Sequence, residues 1–235
     1  MFEGDVFIML FQQIRNAETS AYSYILGDCD NRIGIVIDPV PENQDVLLAL
    51  IGDMQLELHL ILLTHVHSAI DPGAVALRSR TGGVIVVGSG CNFPEADLQA
   101  THGDRVMFGD EVIHVIGTPG YTQCSVSYRW RDRLFTGNTL LIGSCGGIPM
   151  SGSDPGSLFD SVMNRLFTLP QETLVFPGTE LNGRTVSTIA EEKAFNPCFS
   201  GRSRASFVTL MSGTSPLPFL TRQGVSVQQR NKQGA

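Results

Sequence analysis

Charge is what this 235-residue chain has least of: 17% of its residues are Asp, Glu, Lys or Arg, and only two are lysines. Long apolar runs are missing as well. Although 42% of residues are hydrophobic and the mean hydropathy is +0.08, no stretch approaches the roughly 18–20 apolar residues that span a bilayer, which argues against a membrane role. No C-x-x-C pair occurs among the five cysteines, Cys29, Cys91, Cys124, Cys145 and Cys198. Their odd number and scattered spacing fit neither a zinc finger nor a disulfide framework, and they read as small buried hydrophobes. The start, Met1-Phe2-Glu3-Gly4-Asp5, lacks the basic residues of a signal peptide and predicts a cytoplasmic protein. Acids are absent from residues 201–235, which hold Arg202, Arg204, Arg222, Arg230 and Lys232. Residues 1–200 therefore carry 11 basic residues against 23 acidic ones, and such a body would repel the phosphates of a nucleic acid. There is no internal repeat or low-complexity tract.

Periodicity and turn residues lay out the elements. Strands are expected at Val6 to Phe11, Ala21 to Leu26 and Ile33 to Asp38, the last two forming a hairpin across Gly27-Asp28-Cys29-Asp30-Asn31. A helix follows over 43–53, then a buried strand from Leu58 to Thr64. Asp71-Pro72 reads as a helix cap and first turn, running to about Arg80, before the strand Val84 to Val87 completes a β-α-β unit. Further strands are expected at Arg105 to Phe108, Val112 to Ile116, Ser125 to Trp130, Leu134 to Thr136 and Thr173 to Phe176. Helices are expected at Pro155 to Leu169, Thr185 to Phe195 and Ser203 to Ser212. The pattern predicts an α/β sandwich over 1–212, two sheets face to face with helices outside, and an extended basic tail over 213–235.

The chemistry concentrates where strands end at turn-rich corners. In Leu62-Leu63-Thr64-His65-Val66-His67, two histidines two residues apart on an extended segment point the same way, as a metal site would begin. The other corners are Thr118-Pro119-Gly120-Tyr121, Thr136-Gly137-Asn138 and Pro177-Gly178-Thr179. The remaining histidines, His59, His102 and His114, read as structural or surface residues.

These corners, with Thr19 to Asp28, Val36-Ile37-Asp38-Pro39-Val40, Leu134-Phe135-Thr136-Gly137 and Asn182 to Lys193 followed by Phe195-Asn196-Pro197, resemble the metallo-β-lactamase superfamily. The likeness is to its persulfide dioxygenase branch, close to glyoxalase II, and reaches to about residue 218. It implies the αββα sandwich of two mixed sheets. It also implies metal ligands from T-H-x-H-x-D-H, T-P-G-H-T, T-G-D and P-G-H motifs. Here His65 and His67 match, while Ala69, Ile70, Tyr121, Asn138 and Thr179 stand at the other five positions. Asp71 falls two residues beyond the aspartate position and reads as a cap. The iron triad of a persulfide dioxygenase maps to His65, Tyr121 and Asn138, with no carboxylate. The bridged zinc pair of a hydrolase lacks its carboxylate at Asn138 and its second-site ligands. In place of the family's G-C-G-R-T-D stands Ser144 to Pro149, where Gly147 and Pro149 replace the charged residues that would recognise a thiol such as glutathione.

The resemblance thus implies a former metalloenzyme pocket lined by His65, His67, Tyr121, Asn138 and Thr179, with Cys124 nearby. Two classes of function follow. One is a pseudoenzyme or repurposed protein without a cofactor, binding a small molecule or a protein partner, as a monomer or a homodimer. The other is a working enzyme on a thioester, lactone, persulfide or related substrate. Its catalytic residues would be His65 or His67 as general base and Tyr121 as oxyanion donor, with Cys124 as a nucleophile in one variant, or else an atypical single Fe, Mn or Zn ion.

Overall fold

In a computed structural model that describes residues 9–67, 71–147, 153–179 and 183–212, the chain alternates strands and helices through two six-stranded sheets. The first sheet contains β1 (Met9–Arg15), β2 (Tyr22–Asp28), β3 (Ile33–Ile37), β4 (Glu57–Leu62), β5 (Val84–Gly88) and β6 (Leu98–Ala100), in that order. Its first three strands are antiparallel and the rest parallel, joined by α1 (Gln44–Asp53) and α2 (Pro72–Thr81). The second sheet runs from β7 (Arg105–Phe108) through β8 (Glu111–Gly117), β9 (Val126–Trp130), β10 (Arg133–Gly137) and β11 (Leu174–Pro177) to β12 (Ser187–Thr188). It is antiparallel except where β10 meets β11. The helices α3 (Pro155–Ser161), α4 (Ile189–Phe195) and α5 (Arg204–Ser212) complete the chain.

Between the sheets, Tyr22, Tyr24, Phe108, Tyr128, Trp130, Phe135 and Phe176 fill the central layer. Burying each such ring contributes about 1.5–3 kcal/mol. A second cluster joins the first sheet to α1 and α2 through Leu47, Ile51, Ile61 and Leu77. A third joins the second sheet to α3 and α5 through Leu158, Val162, Leu166, Phe199 and Phe207. The expected sandwich is therefore the observed one.

Several boundaries move for local reasons. The first strand, expected at Val6 to Phe11, is described over Met9–Arg15 and runs four residues further, in register with Tyr22 to Asp28; residues 6–8 lie outside the described residues. The expected helix to Leu169 keeps α-helical turns only to Ser161. It then widens into a π-helical turn, Val162–Leu166, closed by Phe167 N–H donating to the Val162 carbonyl at 2.8 Å. That wider turn leaves Val162, Leu166 and Phe167 all buried. The helix expected from Thr185 begins at Ile189 instead, because Ser187–Thr188 pairs with β11 and the Thr188 hydroxyl accepts the Glu191 N–H as the cap. The short strands β6 and β12 carry too few residues to show a period. Asp71 is the cap of α2, its carboxylate accepting the Ala74 N–H at 2.9 Å. The tail over 213–235, and with it the proposed boundary at 212, falls outside the described residues. Among those described, no helix is long and apolar enough to cross a membrane.

Candidate functional site

The pocket is built on the end of β4. Leu63 and Thr64 leave the strand but are held on three sides: Leu63 N–H donates to Val86, Tyr128 Oη donates to the Leu63 carbonyl at 3.0 Å, and Val126 N–H donates to the Thr64 carbonyl at 2.8 Å. Asp38, at the end of β3, supplies the fourth tie. Its Oδ1 accepts the Thr64 N–H at 2.8 Å and its Oδ2 lies 2.7 Å from Thr64 Oγ1. The strand therefore stops at Leu62, two residues before its expected end, because the Thr64 backbone is turned toward Asp38. Asp38 holds a left-handed φ of 49°, a conformation that aspartate tolerates better than most residues. Gly137 approaches from β10 at φ 51°, and a Cβ there would lie 2.2 Å from Thr64 Oγ1, so glycine is required for the corner to close.

From this corner the two imidazoles meet. His65 Nε2 and His67 Nε2 lie 3.1 Å apart, with the rings edge to face at 4.6 Å between centroids. Tyr121, buried against α3, brings its hydroxyl to 3.4 Å from His67 Nε2. Asn138 places Nδ2 3.4 Å from His65 Nε2 and also bonds the Tyr121 hydroxyl, while its Oδ1 accepts from Thr179 Oγ1 at 3.0 Å. Five of the residues expected at the site, His65, His67, Tyr121, Asn138 and Thr179, are thus joined in one hydrogen-bonded group. Ala69 and Ile70, and Ile148 and Pro149, lie outside the described residues.

The protons in this group can be followed from Asp38. Thr64 has one hydroxyl hydrogen, and when Asp38 is ionised that hydrogen goes to the carboxylate. His65 Nδ1, 2.8 Å from Thr64 Oγ1, must then carry its own hydrogen, leaving Nε2 to accept from His67 and Asn138. When Asp38 is protonated the direction reverses: Thr64 donates to His65 Nδ1 and Nε2 becomes the donor. Burial raises the Asp38 carboxyl to about 7 despite both bonds from Thr64, so the two states meet near neutral pH. Burial, reinforced by His67, lowers His65 to about 3. His65 therefore stays neutral near pH 7. His67 is exposed, and although burial lowers its pKa, Asp71 partly restores it. Burial raises the Tyr121 phenol, which keeps it a proton donor.

Cys124 lies beside the pocket, its sulfur taking hydrogen bonds from Cys91, Thr122 and the Val66 amide between the two histidines. Sequence reasoning missed Asp38, whose signal was an aspartate before proline at a strand end, and Cys91, for which spacing gave none. Among the described residues, no group of three or more His, Cys, Asp or Glu side chains could hold a metal ion.

No family model matches the chain. Individual proteins do. The mitochondrial persulfide dioxygenase ETHE1 of Homo sapiens is 34% identical over 212 residues, covering 89% of this chain and 83% of its own. The hydroxyacylglutathione hydrolase of Thermosynechococcus vestitus is 33% identical over 192 residues, covering 80% and 74%. Among solved structures, ETHE1 from Myxococcus xanthus superposes with a TM-score of 0.85 at 40% identity, covering 89% of this chain and 93% of its own.

Proposed function

This chain belongs to the metallo-β-lactamase superfamily, as a relative of the persulfide dioxygenases and hydroxyacylglutathione hydrolases, and from that premise we propose that it works without a resident catalytic metal. Its pocket has become a neutral polar cavity for a small molecule or a segment of a partner protein. The observation that carries this reading is the bond from Thr179 to Asn138 Oδ1. It spends the side chain's better ligand atom on a protein donor and turns the amide, a poor ligand, toward His65. The donor set does not fit Fe²⁺ or Zn²⁺. Two neutral imidazoles already hydrogen-bonded to each other, a protonated phenol and an amide supply no anion to balance a divalent charge. Asp38 is engaged behind Thr64 and Asp71 at the start of α2.

Metal analysis of protein purified without chelators is expected to find iron, manganese and zinc well below one equivalent. A stoichiometric amount of any of them would overturn the reading. The double variant Tyr121→His/Asn138→Asp serves as the positive control, because it adds one imidazole and one carboxylate and is expected to gain at least about tenfold in Zn²⁺ affinity.

A second reading has its own support in the proton arrangement from Asp38 to His65: acid-base catalysis on a thioester, lactone or persulfide, with His67 as base and Tyr121 as donor to a developing oxyanion. Metal-free turnover, lost by about a hundredfold or more in His67→Ala and Tyr121→Phe, is the expected outcome if it holds. The acidic body favours these partners over nucleic acid, and low charge with few lysines suits a homodimer. None of the five cysteines is in a disulfide, which suits the cytoplasm or another reducing compartment.

A further inference from the structure

Two cysteine pairs sit in this fold, and they differ in access. Cys145 and Cys198 are hydrogen-bonded to each other at 2% and 3% exposure, sealed under α3 and α5. Cys91 and Cys124 are also hydrogen-bonded to each other, but Cys91 is half-buried at the surface while Cys124 lies behind it. They come from different sheets. Cys91 follows β5 across a turn in which its N–H bonds back to the Gly88 carbonyl at 3.3 Å, and Cys124 leads into β9. Gly88 brings them together: a Cβ at that position would lie 1.9 Å from the Cys124 carbonyl oxygen, so a larger residue would push the two segments apart.

We propose that Cys91 and Cys124 are a dithiol site that reacts with low-molecular-weight disulfides, with Cys91 as the entering sulfur and Cys124 as the resolving one. At rest the one proton left on the pair sits on Cys91 and is donated to the Cys124 sulfur, and as the Cys91 sulfur attacks a disulfide RSSR that proton crosses to Cys124. A Cys91–SR bond forms and RS⁻ leaves. The departing thiolate takes the Cys124 proton, the freed Cys124 sulfur displaces the second RS⁻ from Cys91, and a Cys91–Cys124 bond closes. Protein dithiol monoanion and RSSR become protein disulfide, RSH and RS⁻, so the protein is oxidised by two electrons and the small disulfide reduced by two. The Cys124 thiol is lowered to about 6 by the Cys91 S–H, Thr122 and the Val66 amide, so the pair gives up its first proton near neutral pH. The Cys124 sulfur that forms this bond is the one that accepts from the Val66 amide between His65 and His67, which places the dithiol beside the pocket.

The test exposes the reduced full-length protein to 2-hydroxyethyl disulfide, quenches with iodoacetamide and maps all five cysteines by peptide mass spectrometry. Expected is a Cys91–Cys124 cross-link lighter by two hydrogens and reversed by dithiothreitol, with Cys145 and Cys198 still thiols. In Cys124→Ser, a mixed disulfide should accumulate on Cys91; in Cys91→Ser, labelling of Cys124 should fall by about tenfold or more. Two results from the wild-type protein, which need no variant to fold, would overturn the proposal. One is a stable adduct on Cys91 with Cys124 still a thiol; the other is no loss of either thiol under conditions that modify the half-buried Cys29.

Discussion

The two walls of the pocket have kept different things. On the first sheet, His65 stands on Thr64, which is tied to Asp38, to Val126 and, through its neighbour Leu63, to Tyr128 and Val86. On the second sheet, Tyr121, Asn138 and Thr179 hang from corners whose backbones are equally well placed, yet their side chains bond to one another. The difference is between residues that hold the chain together and residues that only face the cavity. Replacing Thr64 or Asp38 would strand buried polar groups, whereas a side chain at a cavity rim can change as long as its new neighbours satisfy it.

The sharpest way to break the contrast is to attack the wall that is structural. Gly137→Ala puts a Cβ against Thr64 Oγ1 at a left-handed φ, so either Thr64 must leave Asp38 or the β10 corner must shift. We expect a loss of about 2–4 kcal/mol in urea unfolding, from the strained backbone and the broken buried bonds together. A loss below about 0.5 kcal/mol would mean that the corner is not held as described.

The next effect is a matter of sign. Asp38 is raised in the folded protein, so it contributes stability that is complete below the unfolded carboxyl pKa and is lost as pH rises through about 7. His65 is lowered to about 3, so its contribution is complete above the unfolded imidazole pKa near 6.5 and is lost as pH falls toward about 3. Between about pH 4 and 6.5 the two slopes oppose each other. Asp38→Asn keeps the shape and removes one of them. Stability of that variant should rise with pH across the window by up to about 1.4 kcal/mol per unit, while the wild type stays flatter. Equal slopes in the two proteins would refute the assignment. The amide also fixes Thr64 as a donor to His65 Nδ1, so the ¹⁵N shifts of His65 should report a neutral, Nε2-protonated ring throughout the pH range above its pKa of about 3.

How much of this could be read in the sequence follows the same division. The strands of the central layer and the β-α-β unit are written in apolar runs and in Asp71-Pro72, because backbone satisfaction and burial leave few alternatives. The corners were legible as turn residues at strand ends, and the five pocket residues named from them do meet. What could not be read were contacts between residues far apart in the chain. Asp38 reaches Thr64 because the neighbouring parallel strands β3 and β4 end side by side, and Cys91 reaches Cys124 because the two sheets converge there. The start of α4 falls at Ile189 rather than Thr185 because Ser187 and Thr188 pair with β11 instead.

The smallest expected effect lies on the wall that faces the cavity. Thr179→Val is nearly isosteric and removes one hydroxyl, the partner of Asn138 Oδ1 at 3.0 Å. Removing one neutral hydrogen bond at a half-buried site costs about 1 kcal/mol, well below the cost of disturbing Thr64. With that partner gone, the Asn138 amide is free to turn its oxygen toward His65 and its nitrogen toward residue 179. The urea midpoint should therefore shift slightly while the ring resonances of His65, His67 and Tyr121 move together. If they stay fixed, Thr179 is not what orients Asn138, and the division between a structural wall and a self-satisfied wall would have to be drawn through Asn138 itself.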